Sequence, residues 1–188
     1  MRKFNEDKAL AAILFLANQD GQIDLYALLK TIYYADKDHF HEWGRTITGD
    51  GYAKMDCGPV PSKAYDMLKS VRGDGSWKTK INLKKSFEFI DWITIRPLTQ
   101  PDINKLSETD IEALQKSFDI RGRKTFDELY KEAHEDIAFQ QSKNWIMDEE
   151  DLAEEDPMLI KYIMEVKRNE QFLEAYRHLS SRDEEEVC

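Results

Sequence analysis

The sequence predicts an α+β fold that is predominantly α-helical and carries a small antiparallel β-sheet. Three observations predict it. Apolar residues recur at helical spacing in six segments; residues 52–55 instead alternate, and residues 87–96 are rich in aromatic and β-branched side chains; and Gly, Pro and Asp punctuate the intervals. With 188 residues, the chain is long enough to enclose a hydrophobic core without disulfides or a metal. We expect residues 1–144 to form the main unit, with residues 145–188 as an acidic connector and a C-terminal amphipathic helix packed on it.

Leu10, Ile13, Leu14 and Ala17 mark the first helix, which Asp20 and Gly21 end with turn chemistry. Asp24 is placed to cap a second helix, whose apolar face carries Leu25, Leu28, Leu29, Ile32 and Tyr33 and which runs to Phe40. Four residues on from Ile32 stands Asp36, a carboxylate where the stripe requires an apolar group, with His39 three residues beyond. A buried carboxylate must be met by donors. Asp36 is therefore either a clamp tied to N–H, Tyr or His groups within the fold or a group facing a functional crevice, and the clamp is the commoner arrangement. On either reading Asp36→Ala is expected to remove roughly 1–3 kcal/mol of stability if the group is buried.

Residues 44–51 are glycine-rich and read as a loop before a strand at Tyr52, Ala53, Lys54 and Met55. Gly58, Pro59, Val60, Pro61 and Ser62 read as the opening of a third helix bearing Ala64, Tyr65, Leu68 and Val71, because a first turn tolerates proline's missing N–H. The same two prolines remove backbone donors that an anion-binding terminus would need. Residues 72–85 read as a polar loop with a short strand at 77–81, and residues 87–96 as one or two strands stopped by Pro97.

Ser107 with Asp110, and Thr125 with Glu128, mark two further helix starts. Ile111, Leu114 and Phe118 line the first helix; Phe126, Leu129, Tyr130, Ala133 and Ile137 line the second. Residues 148–156 hold seven acids in nine positions and read as a solvated connector or an acidic contact arm. Pro157 opens a long helix with the stripe Leu159, Tyr162, Ile163, Val166, Leu173 and Tyr176, and residues 182–188 read as a frayed tail. The stripe is the pattern of a helix packed on its own core, although docking on a partner or on a second copy of the chain would use the same pattern.

The net charge of −10 is unevenly placed. Residues 1–100 hold 15 Lys/Arg against 13 Asp/Glu, whereas residues 101–188 hold 12 against 24. Such a balance opposes binding to phosphate backbones and favours solubility or a basic partner. Cys57 and Cys188 are the two cysteines, without CxxC spacing, so neither a disulfide framework nor a structural zinc site is expected, and a reducing cytoplasm fits. The N-terminal residues turn acidic before any apolar run, and residues 9–17 are too short and too periodic for a signal peptide or membrane span.

An enzyme would have to draw on Asp36, Asp38, His39, His41, Cys57 and His134, and these form no convincing set. His39 and His41 are two apart, which on a helix points them to different sides, unlike an i, i+4 zinc pair. Cys57 beside Gly58 has no assured histidine base and reads as a packed thiol. GxGxxG, GxxxxGK[ST] and GxSxG are absent, as is a basic recognition helix. We therefore expect no catalytic residue, metal, cofactor or direct nucleic-acid binding; a reactive Cys57 or a bound metal would instead support a hydrolase.

The run from Tyr33 to Leu68, YYADKDHFHEWGRTITGDGYAKMDCGPVPSKAYDML, resembles the SocA-like antitoxin family, also called the Panacea domain. Its phrases fall on Tyr33 or Tyr34, Ala35, Asp36 and His39; on Gly44, Arg45, Ile47, Thr48, Gly49 and Asp50; and on Gly58, Pro59, Val60 and Pro61. A fainter similarity continues through residues 106–110 and to Ala133 and His134, where the family tends to show a Thr-His pair; the threonine is alanine here. The resemblance covers about residues 8–144. It implies an antitoxin that binds and neutralises a cognate protein toxin. It also admits an adaptor that hands its partner to an ATP-dependent cytoplasmic protease. The residues it marks as bordering a partner surface are Tyr34, Asp36, His39, Asp50, Gly58, Pro59, Val60 and His134.

Overall fold

The computed structural model describes residues 3–185, with side chains described as far as residue 173. Helix α1 (Glu6–Gln19) is capped by Asn5, which accepts from the Lys8 N–H, and buries Ala9, Ala12, Ile13, Leu16 and Ala17. Small alanines on that face let a neighbouring helix approach closely. After Gly21, whose φ of 76° suits a residue without Cβ, the two residues of β1 (Ile23–Asp24) lead into α2 (Leu25–Trp43). Asp24 caps α2 by accepting from Tyr26 and Ala27.

Helix α2 is the spine of the molecule. It is buried almost all round from Leu25 to Asp36, as a helix enclosed by other elements must be. One side joins the larger core built from α1, α3 (Ser62–Arg72), α4 (Glu108–Arg121) and the sheet described next; the other carries Tyr33, Tyr34 and Phe40 into a second core with Tyr52, Met147, Leu152, Leu159 and Ile163.

Two three-stranded antiparallel sheets replace the single small sheet expected. In the first, β5 (Thr94–Pro97) lies between β1 and β4 (Phe87–Phe89); in the second, β2 (Tyr52–Met55) lies between β3 (Gly58–Pro61) and β6 (Ile146–Met147). The two-residue strands β1 and β6 are too short to show alternation in a sequence. Residues 77–81 form no strand.

Gly58–Pro61 does not open the third helix. It is a strand, paired with β2 through Tyr52↔Pro61, Ala53↔Val60, Lys54↔Pro59 and Met55↔Gly58. An edge strand tolerates prolines because one of its sides needs no N–H donors. Helix α3 begins at Ser62, with Pro61 at the cap position and no capping side chain of its own.

Ser107 and Asp110 form a complete capping box on α4, as Thr125 and Glu128 do on α5 (Phe126–Glu135). The α5 stripe ends before Ile137: Asp136 interrupts the helix and caps α6 (Ile137–Gln141) by accepting from the Phe139 N–H. Phe126, Tyr130 and Ile137, expected in the core, are exposed.

Residues 148–156 are not an open arm. Asp148 caps the single turn α7 (Glu149–Leu152), Leu152 and Ala153 are buried, and Glu154 and Glu155 turn the chain at positive φ into α8 (Pro157–Glu185). Leu159 and Ile163 of α8 are buried, whereas Tyr162 and Leu173 of its expected stripe are exposed. The tail expected from residue 182 is helical as far as Glu185; residues 186–188, and the side chain of Tyr176, lie outside the described residues.

Candidate partner-binding site

Asp36 is fully buried and is a clamp. Its carboxylate accepts from the Ile47 N–H (2.6 Å), the Thr48 N–H (3.2 Å), the Thr48 hydroxyl (2.8 Å) and the Tyr52 hydroxyl (2.7 Å). One side chain on α2 thereby fixes the loop at Ile47 and Thr48 and the first residue of β2. Burial raises its pKa, against the four donors.

Asp50 does a related job. It accepts from the N–H groups of Gly51 (2.8 Å), Lys63 (3.1 Å) and Ala64 (2.8 Å), and so supplies the first turn of α3 with the cap that Pro61 lacks. Burial pushes its carboxyl up to about 6 in spite of those donors.

His39, also buried, has Nδ1 at 2.7 Å from the Arg45 carbonyl and Nε2 at 3.0 Å from the Thr109 hydroxyl. A carbonyl can only accept, so Nδ1 carries the proton and Nε2 accepts from Thr109 in the neutral ring. Burial lowers the His39 pKa and favours that neutral form. Beside it, Asp110 accepts from Arg45 (2.8 Å), Lys8 (2.6 Å) and the Ser107 N–H (2.8 Å), joining α1, α2's C-terminal loop and α4.

Burial raises the Asp110 carboxyl, but Lys8, the Ser107 N–H and Arg45 outweigh it and hold it at about 2. Its unfolded value is about 3.9. The unfolded chain therefore binds the extra proton between those values, and the stabilisation from Asp110 is complete above about pH 4 and lost as pH falls toward 2. Urea titrations of the wild type and Asp110→Asn should differ by about 1–3 kcal/mol at neutral pH, the size expected of a charged hydrogen-bond hub. The gap should close between pH 4 and 2; a gap independent of pH would show that the ion pairs do not act. Asp50, shifted upward, has the opposite sign, but its window lies between about 4 and 6 and leaves the acid limb to Asp110.

Sequence reasoning missed two other links, one part-buried and one buried. Lys37 bridges Asp136 (2.5 Å) and Glu154, and Asp136 also accepts from the Tyr33 hydroxyl (2.9 Å), so α2 holds both the α5–α6 junction and the turn before α8. Lys30 is buried beneath β3 and donates to the Pro59 carbonyl (2.7 Å) with its amine 4.9 Å from the Tyr26 ring centroid. Burial brings the Lys30 amine down to about 7. A lysine on an apolar helix face gives no sequence signal of the carbonyl it will meet.

Above this polar framework lies an apolar surface that no described residue covers. A groove of about 720 Å³ is floored by Leu25, Leu29, Val60 and Tyr65 and walled by Met55, Ile93 and Phe126, with Asp24, Asp56 and Lys124 at its rim. Aromatic rings continue from it along α5. Tyr26 meets Phe126 (centroids 4.6 Å apart), Phe126 meets Tyr130 (5.8 Å), Tyr130 stacks on His134 (4.0 Å), and His134 meets Phe139 edge-on (5.3 Å). Phe126 is 51% exposed, Tyr130 40% and nearby Trp145 67%. Their signal in the sequence was the i, i+4, i+8 series Phe126, Tyr130, His134, which looks the same whether a stripe faces a core or a partner.

A family model described as antitoxin SocA-like, Panacea domain, matches residues 28–140. The chain belongs to this family. Comparison with curated proteins and with solved structures finds no match.

The match to the SocA-like Panacea domain starts within α2 and ends in α6, so it takes in the Asp36, Asp50 and Asp110 hubs and the aromatic series on α5. Of the eight residues marked by resemblance, Tyr34, Asp36, His39, Asp50, Gly58 and Pro59 are buried within this Panacea domain, and the Tyr34 ring is covered by the Arg121 guanidinium at 3.8 Å. Val60, although mostly covered, lines the groove, and half-buried His134 stands in the aromatic series. The motif thus builds the frame, and the surface above it is formed largely by residues outside the phrases. Among the described residues no group of three or more His, Cys, Asp or Glu is placed to hold a metal, and no helix is long and apolar enough to cross a membrane.

Proposed function

We propose that this chain is a cytoplasmic antitoxin that neutralises a cognate protein toxin by binding it directly, with no catalytic step of its own. Membership of the SocA-like family supports the role. The observation that carries the reading is the exposed aromatic series on α5, continuous with an apolar groove. Contiguous apolar patches of this kind are uncommon on soluble monomers and mark interaction surfaces, and Tyr, Trp and Phe are the side chains that dominate binding energy there.

Co-expression with the product of the neighbouring reading frame should yield a complex of fixed stoichiometry, and protection of cells should rise in proportion to that complex. Protection at strongly substoichiometric antitoxin would overturn direct neutralisation. Accelerated loss of the partner in cells, with little complex recovered, would instead place the chain as a proteolysis adaptor.

A further inference from the structure

The groove and its rim specify more about the partner than its existence. Two carboxylates border the groove and have acceptor capacity left: Asp56 makes no hydrogen bond or ion pair among the described residues, and Asp24 caps α2 through one oxygen, Oδ1, leaving Oδ2. Among the described residues lining the groove the one cation is Lys124, which pairs with Glu132 at 2.7 Å, a carboxylate that also holds Arg121. An occupant therefore meets an apolar lining edged by two carboxylates against one ammonium group, a net negative balance.

The neighbouring strand limits how that occupant can enter. Edge addition to β3 would need outward N–H donors, but Pro59 and Pro61 have none, and the Pro59 carbonyl is taken by Lys30. Recognition must then proceed through side chains in the groove, the mode by which an amphipathic helix lays one apolar face into a cleft.

We infer that the groove between the β2–β3 turn, the β4–β5 turn and the start of α5 receives a basic amphipathic helix of the partner protein, its apolar anchors on Leu25, Leu29 and Val60 and its Lys or Arg side chains against Asp24 and Asp56. This rests on the antitoxin reading. Long-range attraction between such a helix and the acidic rim speeds encounter, and apolar burial sets the lifetime of the complex.

The groove contains its own reporter. Cys57 sits at the β2–β3 turn, is exposed and free, and lines the groove. The experiment uses the full chain in a Cys188→Ser background and, as probe, the protein encoded by the neighbouring reading frame. Thiol labelling of Cys57 is followed with and without that protein, and affinities are measured for Phe126→Asp and Asp56→Lys. Phe126 is the first residue of α5 and is half exposed, so an acid there suits the helix terminus and leaves the fold intact.

Expected results are labelling slowed at least about tenfold in the complex, affinity lowered at least about thirtyfold by Phe126→Asp, and affinity lowered about tenfold by Asp56→Lys with a weaker dependence on salt. A complex that forms with Cys57 fully reactive, or that ignores Phe126→Asp, would overturn the groove while leaving the antitoxin role in place. Unchanged or tighter binding by Asp56→Lys would overturn the basic character of the occupant. Protection of Cys57 that grows with the concentration of the chain alone would assign the groove to a second copy and overturn the proposal. Failure of the two proteins to associate at all would remove the antitoxin reading and the inference with it.

Discussion

Asp36→Ala is expected to lower the unfolding free energy by about 3–5 kcal/mol, a loss typical of breaking a buried charged network and well above the 1–3 kcal/mol assigned to a single orphaned group. The larger figure follows from the number of partners. Four donors converge on this carboxylate, two of them backbone N–H groups of Ile47 and Thr48 that cannot turn toward solvent without unfolding the loop.

The graded variants separate the contributions. Tyr52→Phe removes one donor and leaves the carboxylate three, so it should cost about 1 kcal/mol. Asp36→Asn keeps one carbonyl oxygen but presents an NH₂ to groups that are themselves donors, and should fall between the two. Guanidinium unfolding followed by intrinsic fluorescence would give all three values. An Asp36→Ala loss below about 1 kcal/mol would mean that the loop finds other acceptors and that the clamp is not what holds it. Because Asp36 touches no surface, weakened partner binding by this variant is expected only in proportion to its unfolding.

That result bears on what could be read from the residues alone. Asp36 was legible as an anomaly because helical period is strict: a carboxylate four residues after Ile32 and eight after Leu28 must be paired or must open a crevice. Capping at Asp24, Ser107 and Thr125 was legible for the same reason, since unsatisfied N–H groups at a helix start need an acceptor close by in sequence. What stayed hidden depends on contacts distant in sequence. Asp50 caps α3 from thirteen and fourteen residues away, and Lys37 reaches Asp136 and Glu154 some hundred residues on.

The acidic stretch shows how composition misleads when a few apolar residues decide the outcome. Seven acids in residues 148–156 suggested a solvated connector or an acidic contact arm, yet Leu152 and Ala153 enter the second core and draw the stretch into a turn. Glu154 is consequently an internal partner of Lys37, a role that makes it a poor candidate for a free contact charge. The two carboxylates that line the groove, Asp24 and Asp56, lie in the half of the sequence whose overall charge is close to balance. The outward placement of the series Phe126, Tyr130 and His134 was hidden for a different reason: periodicity identifies a face and is silent about what covers it.

Gly58→Ala is expected to lower stability by about 2–4 kcal/mol through two separable effects. Gly58 has φ of 91°, a conformation that strains any residue bearing a Cβ by about 1–3 kcal/mol. An added Cβ would also lie 2.6 Å from the Ala133 Cβ and 2.9 Å from the Lys30 amine, distances at which α5, the β2–β3 hairpin or the buried lysine must move, and overpacking of this kind costs about 1–3 kcal/mol. Hairpin and α5 are two of the walls of the groove, so the displacement should weaken partner binding even at temperatures where the variant remains folded.

Ala133→Gly tests whether the contact is responsible. By itself that change should cost about 1 kcal/mol, since glycine in a helix interior is less favourable than alanine. In combination it frees the space into which the new Cβ points, and the double variant should be more stable than the sum of the single losses predicts, by about 1–2 kcal/mol. The backbone strain at φ of 91° is untouched by Ala133→Gly and should persist. Strict additivity in the cycle would mean that the hairpin and α5 are not in contact at Gly58, and the side of the groove that they jointly form would lose its support.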